Sequence, residues 1–122
     1  MDLRVELNLV NQSIVEEVFG NKFFELMAIV NLHDPSDLLQ IGAPVDEYNP
    51  EIRTIIVQLQ KQMSVGQIFV IMYKEFVHWL GVYQFDTVIR LIYAARDTHT
   101  WLENQLEFRG YPLERFINGP AN

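Results

Sequence analysis

The chain is expected to fold as an all-α bundle of four to five helices, and three observations carry that expectation. Helix-capping chemistry recurs along the sequence, apolar residues repeat at three- and four-residue spacing, and no convincing pair of strands is present. At 122 residues with 49% hydrophobic and 20% charged content, one domain covering residues 1–122 can bury its core without staples. The absence of cysteine excludes disulfides, thiolate metal sites and cysteine nucleophiles.

The clearest helix starts at Asn49-Pro50-Glu51, where Asn49 suits the N-cap and Pro50 the first turn. Ile52, Ile55, Ile56, Leu59 and Met63 then share one face, which describes a half-buried surface helix. Ser64 and Gln67 form a capping box for the next helix, which runs to Leu80 and stops at Gly81. That segment is apolar on nearly every side, so it is expected in the middle of the bundle. A third helix, Phe85 to Arg109, carries a seam of Phe85, Val88, Ile92, Ala95, His99, Leu102 and Leu106. Its short joint at residues 81–84 makes it antiparallel to its predecessor.

Upstream, Asn21 to Leu32 reads as helix ending before Asp34-Pro35, with Gly20 as a break and Ser13-x-x-Glu16 as another capping box. At the N-terminus Leu3, Val5, Leu7 and Leu9 alternate with polar residues, as in a short strand. Leu3, Leu7, Val10 and Ile14 equally mark a helical face, and helix is the preferred reading. The tail is expected to fold back around Leu113, Phe116 and Ile117 and to fray over residues 118–122.

Charge is unevenly distributed. Residues 1–51 hold ten acids against Arg4 and Lys22, and residues 52–122 hold six acids against seven bases, within a net charge of −7. An acidic face of this kind argues against nucleic acid as a ligand and is compatible with a basic protein partner. Residues 1–6 lack a basic region followed by an apolar block, and no uncharged run reaches membrane-spanning length, so a cytoplasmic protein with no membrane partner is expected.

Catalytic motifs are scarce. Glu75-x-x-His78 has the spacing of carboxylate-bridged di-iron bundles, but such sites need two of these pairs and two further glutamates, and both residues are assigned here to a polar stripe. His99 reads as a core histidine opposite the start of the Ser64 helix, where Gly66 leaves room. His33, His78 and His99 have no diagnostic metal spacing. Asp34, Asp37, Asp46 and Glu47 cluster between two helices without the alternation of a calcium loop. No metal and no cofactor is assigned.

Asp34-Pro35, Gly42-Ala43-Pro44, Asp46-Glu47-Tyr48, Pro50-Glu51 and Glu75-Phe76-Val77 together resemble a family of small, uncharacterised bacterial all-helical proteins. In that family an Asp-Pro ends the first helix and a Gly-Ala-Pro-x-Asp-Glu-Tyr-Asp-Pro-Glu loop follows. The resemblance covers Asp34 to Gly81 and departs at His33, where Trp is usual, and at Ser36-Asp37 and Asn49. It implies helical architecture and no established activity. In size, helicity and acidity the chain is also similar to small immunity proteins, which neutralise a toxin made by the same cell.

The function expected is therefore a small acidic protein-binding module, with Asp34, Asp37, Asp46 and Glu47 steering a basic partner and Tyr48 anchoring it. A homodimeric structural protein is the alternative. A metal-dependent helical-bundle enzyme using the histidines and the loop carboxylates ranks behind both.

Overall fold

A computed structural model describes residues 2–81 and 84–119. Over these residues the chain forms seven helices and no strand, so the all-α class is shown. In order they are α1 (Leu3–Asn8), α2 (Gln12–Phe19), α3 (Asn21–His33), α4 (Asn49–Ile56), α5 (Val65–Leu80), α6 (Phe85–Glu103) and α7 (Glu114–Asn118). Helices α3 to α6 pack in a closed ring, α3 on α4, α4 on α5, α5 on α6 and α6 back on α3. Inside the ring meet Phe23, Leu26 and Val30 of α3, Ile52, Ile55 and Ile56 of α4, Ile68, Met72 and Phe76 of α5, and Leu91, Ala94 and Leu102 of α6. Helices α2 and α7 close one end, where the Phe19 ring stacks on both Phe108 and Phe116.

Several boundaries follow from local chemistry. Ser64 and Gln67 make the reciprocal capping box that the sequence announces, and Gly81 terminates α5 with φ 65°. Gly20, with φ 57°, separates α2 from α3. Asp2 caps α1 through its carboxylate, which accepts from the Val5 amide, so residues 3–8 are helix and the strand alternative falls.

Other expectations are corrected. Asn11, and not Ser13, caps α2. Tyr48 is the N-cap residue of α4 and Asn49 is already helical, its side-chain oxygen buried without a partner. Helix α4 ends at Ile56, far short of Met63, and five of its eight residues are buried. It is thus more interior than α5, whose Val70 and Leu80 remain exposed. Helix α6 ends at Glu103, short of Arg109, with Asn104 as its cap. Its buried face consists of Thr87, Leu91, Ala94, Ala95, Thr98 and Leu102, while Phe85, Ile92 and Leu106 lie exposed. Small side chains let α6 approach α3 and α5 closely, so the larger apolar residues are displaced to the outside. His99 accordingly leaves the core and pairs with Glu103 at 3.0 Å, although it does share a cleft with Val65 at the start of α5. The tail folds back as α7, with Phe116 buried; of the residues expected to fray, Asn118 is helical and 120–122 lie outside the described set.

Thr98 is fully buried and its hydroxyl has no hydrogen-bond partner. Thr98→Val keeps the shape and removes the orphan, so it should raise stability by about 1 kcal/mol. Chemical denaturation measures this directly, and a loss of stability would show that the hydroxyl has a partner.

Candidate functional site

Helix α3 stops because Asp34 adopts φ 43°, and Pro35 after it cannot continue the helical bonding. The connection that follows, residues 34–48, is a chain of turns. The Asp37 amide donates to the Asp34 carbonyl at 2.9 Å, the Ala43 amide to Leu38 at 2.9 Å, and the Glu47 amide to Pro44 at 3.0 Å. Asp37 also sits at positive φ (59°), a conformation that aspartate tolerates better than most residues, and Gly42 at 100° completes the path.

One polar network ties the loop to the bundle. The Tyr48 hydroxyl donates to Asp34 Oδ1 at 2.6 Å and accepts from the Ser36 amide at 3.0 Å. The same carboxylate accepts from the amides of Leu39 at 3.1 Å and Gln40 at 3.0 Å. Burial works against the Asp34 charge, but these bonds and the nearby Arg90 outweigh it and hold the carboxyl below its ordinary range. Burial, then the bond to Asp34, pushes the Tyr48 phenol up. Arg90 of α6 donates to the Asp34 carbonyl at 3.0 Å and to the Asp37 carboxylate. On the α3 side the Asn31 amide group holds the Val45 carbonyl at 2.8 Å.

This geometry divides the five residues expected to meet a partner. Tyr48 is fully buried against Phe76, with ring centroids 5.4 Å apart, so it cannot be a surface anchor. Its ring is core and its hydroxyl is a loop fastener. The Asp34 carboxylate, half-buried, is taken up by its three donors and also leaves the docking set. Asp37 is half exposed but engaged by Arg90. Only Asp46 and Glu47 point freely to solvent.

The sequence reading missed the apolar side chains that share the loop with them. Ile41 is 78% exposed and Val45 71% exposed, and Leu32 at the end of α3 is exposed as well. The available signal was an isoleucine and a valine flanking Gly42-Ala43-Pro44, in a segment with no helical period to bury them.

Below the loop lies a second arrangement, also unforeseen. Glu51 of α4 and Glu75 of α5 are each only 2% exposed. Arg4 of α1 grips Glu75 with two bonds, at 2.9 and 3.0 Å, so Glu75 is not on a polar stripe. Glu51 keeps one carboxylate oxygen buried without a partner. Burial raises its pKa to about 7 against a backbone hydrogen bond and the pull of Arg53, and repulsion from Glu47 and Glu75 adds smaller upward contributions. Nearby, the Trp79 indole donates to the Thr54 hydroxyl at 3.1 Å and the Arg53 guanidinium lies over the Trp79 ring.

The histidines are dispersed. His33 pairs with Asp97 at 2.6 Å, His99 pairs with Glu103, and His78 is exposed beside Trp79. Among the described residues no three histidine or carboxylate side chains converge as a metal site would require.

Fold and loop together define a small all-α bundle that presents a fastened acidic and apolar loop. Comparison with protein-family models, characterised proteins and solved structures finds no match to the chain. Among the described residues no helix is long and apolar enough to cross a membrane.

Proposed function

We propose that the protein is a protein-binding module whose contact surface is the loop of residues 34–48. The observation that carries this reading is the exposure of Ile41 and Val45 on a loop fastened from beneath by Asp34, Tyr48 and Arg90. Large apolar groups held in water on a rigid support lose little conformational entropy on docking. Asp46 and Glu47 beside them favour a basic partner and speed its approach. A cognate toxin is one such partner, and the cytoplasm is the compartment this reading assumes.

The test is capture from the native cell with the wild-type chain, with Ile41→Ser/Val45→Ser, and with Asp46→Lys/Glu47→Lys, each compared by quantitative mass spectrometry. A basic protein retained by the wild type should be lost from the first variant. With the second, its association should slow by about tenfold or more and lose most of its salt dependence. Equal recovery by all three baits would remove the loop from the interface and end this reading.

A further inference from the structure

Helix α1 is attached to the bundle by few contacts. Leu7 is its only buried residue, while Leu3, Val5 and Leu9 are exposed. Beyond Leu7, the polar anchor is Arg4, clasping Glu75 from 71 residues away in the chain. Between α1 and α5, walled by Leu3, Leu7, Val70 and Ile71, an open groove of about 370 Å³ remains unfilled. A six-residue helix cannot sustain itself in water, so this seat and the buried Val10 just beyond it keep α1 in place.

No helix-breaking residue enforces the break between α1 and α2, which is held by the buried Val10 and by the Asn11 amide donating to the Phe116 carbonyl at 3.0 Å. Neither glycine nor proline occurs between Asp2 and Phe19. Leu9 stays in the right-handed helical region, with φ −93° and ψ −3°, and Asn11 turns the chain out at ψ 125° while its side chain caps α2. Leu3, Leu7, Val10 and Ile14 continue one helical face straight through this joint. A change of conformation over Val10 and Asn11, with loss of the bond from the Asn11 amide to the Phe116 carbonyl, would merge α1 and α2 into a helix from Leu3 to Phe19, about 25 Å long. That helix would carry Arg4 and Leu7 away from their own α5.

We propose that α1 exchanges between two copies of this chain, the Arg4 and Leu7 of each seating on Glu75 and the α5 groove of the other. The occupant is fixed by the chemistry of the seat: a buried carboxylate wants a cation beside an apolar knob, and α1 supplies both at the right spacing. Within one chain and between two chains the contacts are the same, so concentration decides between them. The surface involved is separate from the 34–48 loop, and the exchange stands independently of what that loop binds.

Sedimentation of the wild type from micromolar to millimolar concentration should show monomer and dimer in equilibrium. Asn11→Ala removes the cap that maintains the break. One lost cap is worth roughly fivefold and a dimer has two, so association should tighten by about twenty-five-fold. Arg4→Glu sets two carboxylates against each other in either arrangement and should sediment as monomer. Mixed with Glu75→Arg, it should form a dimer, because opposite charges then meet only across exchanged chains. A wild type and Asn11→Ala that both remain monomeric throughout would overturn the proposal. So would an Arg4→Glu chain that dimerises as well as the wild type, since the copies would then meet through another surface. The Asn11→Ala and Arg4→Glu arms decide the matter even if Arg at the buried position 75 prevents folding.

Discussion

Replacing Glu51 by Gln should stabilise the fold by about 2–3 kcal/mol at about pH 8 and change little near pH 4. The sign follows from where the proton sits. In the folded chain the Glu51 carboxyl titrates at about 7, against an ordinary value of 4.5. Between those values the folded state keeps a proton that the unfolded state has released, so stability falls as pH rises, and above about 7 the loss is complete. The cause is geometric: a carboxylate 2% exposed, one oxygen without a donor, with Glu47 and Glu75 nearby. Glutamine fills the same space and cannot ionise. Urea denaturation of both chains from pH 4 to 9 is the measurement, and parallel stability curves would show that Glu51 is solvated or paired.

Tyr48→Ala should cost about 3–5 kcal/mol, the range for removing a large aromatic side chain from a close-packed interior. Its ring is fully buried in the core against Phe76. Tyr48→Phe separates the two jobs of the residue. The ring remains, the Asp34 carboxylate loses its 2.6 Å donor, and the Ser36 amide loses its acceptor, at a cost of about 1–3 kcal/mol. Asp34 then becomes easier to protonate. A carboxyl held below its ordinary range adds stability above that range, and the gain disappears as pH falls through its folded value. Tyr48→Phe should therefore reduce the acid sensitivity of the fold as well as its stability at neutral pH. Faster hydrogen exchange at Leu39 and Gln40, whose amides Asp34 holds, would locate the loss in the loop. Unchanged exchange there, together with full stability, would mean that the loop is fastened by other bonds.

The two variants also bear on the binding reading. If the 34–48 loop presents Ile41 and Val45 as a rigid surface, Tyr48→Phe should weaken partner capture although residue 48 touches nothing outside the protein. In sequence, a tyrosine beside acids in a loop resembles an interface anchor, the opposite of the role Tyr48 has in the fold. Burial reverses that assignment, since a phenol can face the core and still satisfy its hydroxyl on a neighbouring turn.

Features that depend on a few adjacent residues were legible in the chain. The Ser64–Gln67 capping box, the stops at Gly81 and Asp34-Pro35, the break at Gly20 and the helical nature of α3, α5 and α6 all come from local bonding and steric rules. Features that depend on what lies opposite were not. Of the seam expected on α6, Ala95 and Leu102 are buried, but Phe85, Ile92 and Leu106 are exposed, because close helix approach selects small residues such as Ala94 and Thr98. Helices α4 and α5 exchanged their expected burial for a related reason. Composition reports how apolar a helix is, and only its neighbours determine how much of it is covered.

The sequence alone thus determined an all-α chain, most of its helix boundaries and an acidic first half, because capping, glycine geometry and charge are properties of short segments. Tertiary structure decided that Arg4 meets Glu75, that Arg90 meets Asp37, that Glu51 is buried with an oxygen unpaired, and that Tyr48 faces inward while Ile41 and Val45 face out. These depend on contacts between residues dozens of positions apart, where burial and hydrogen bonding are set by packing and leave no mark on local sequence.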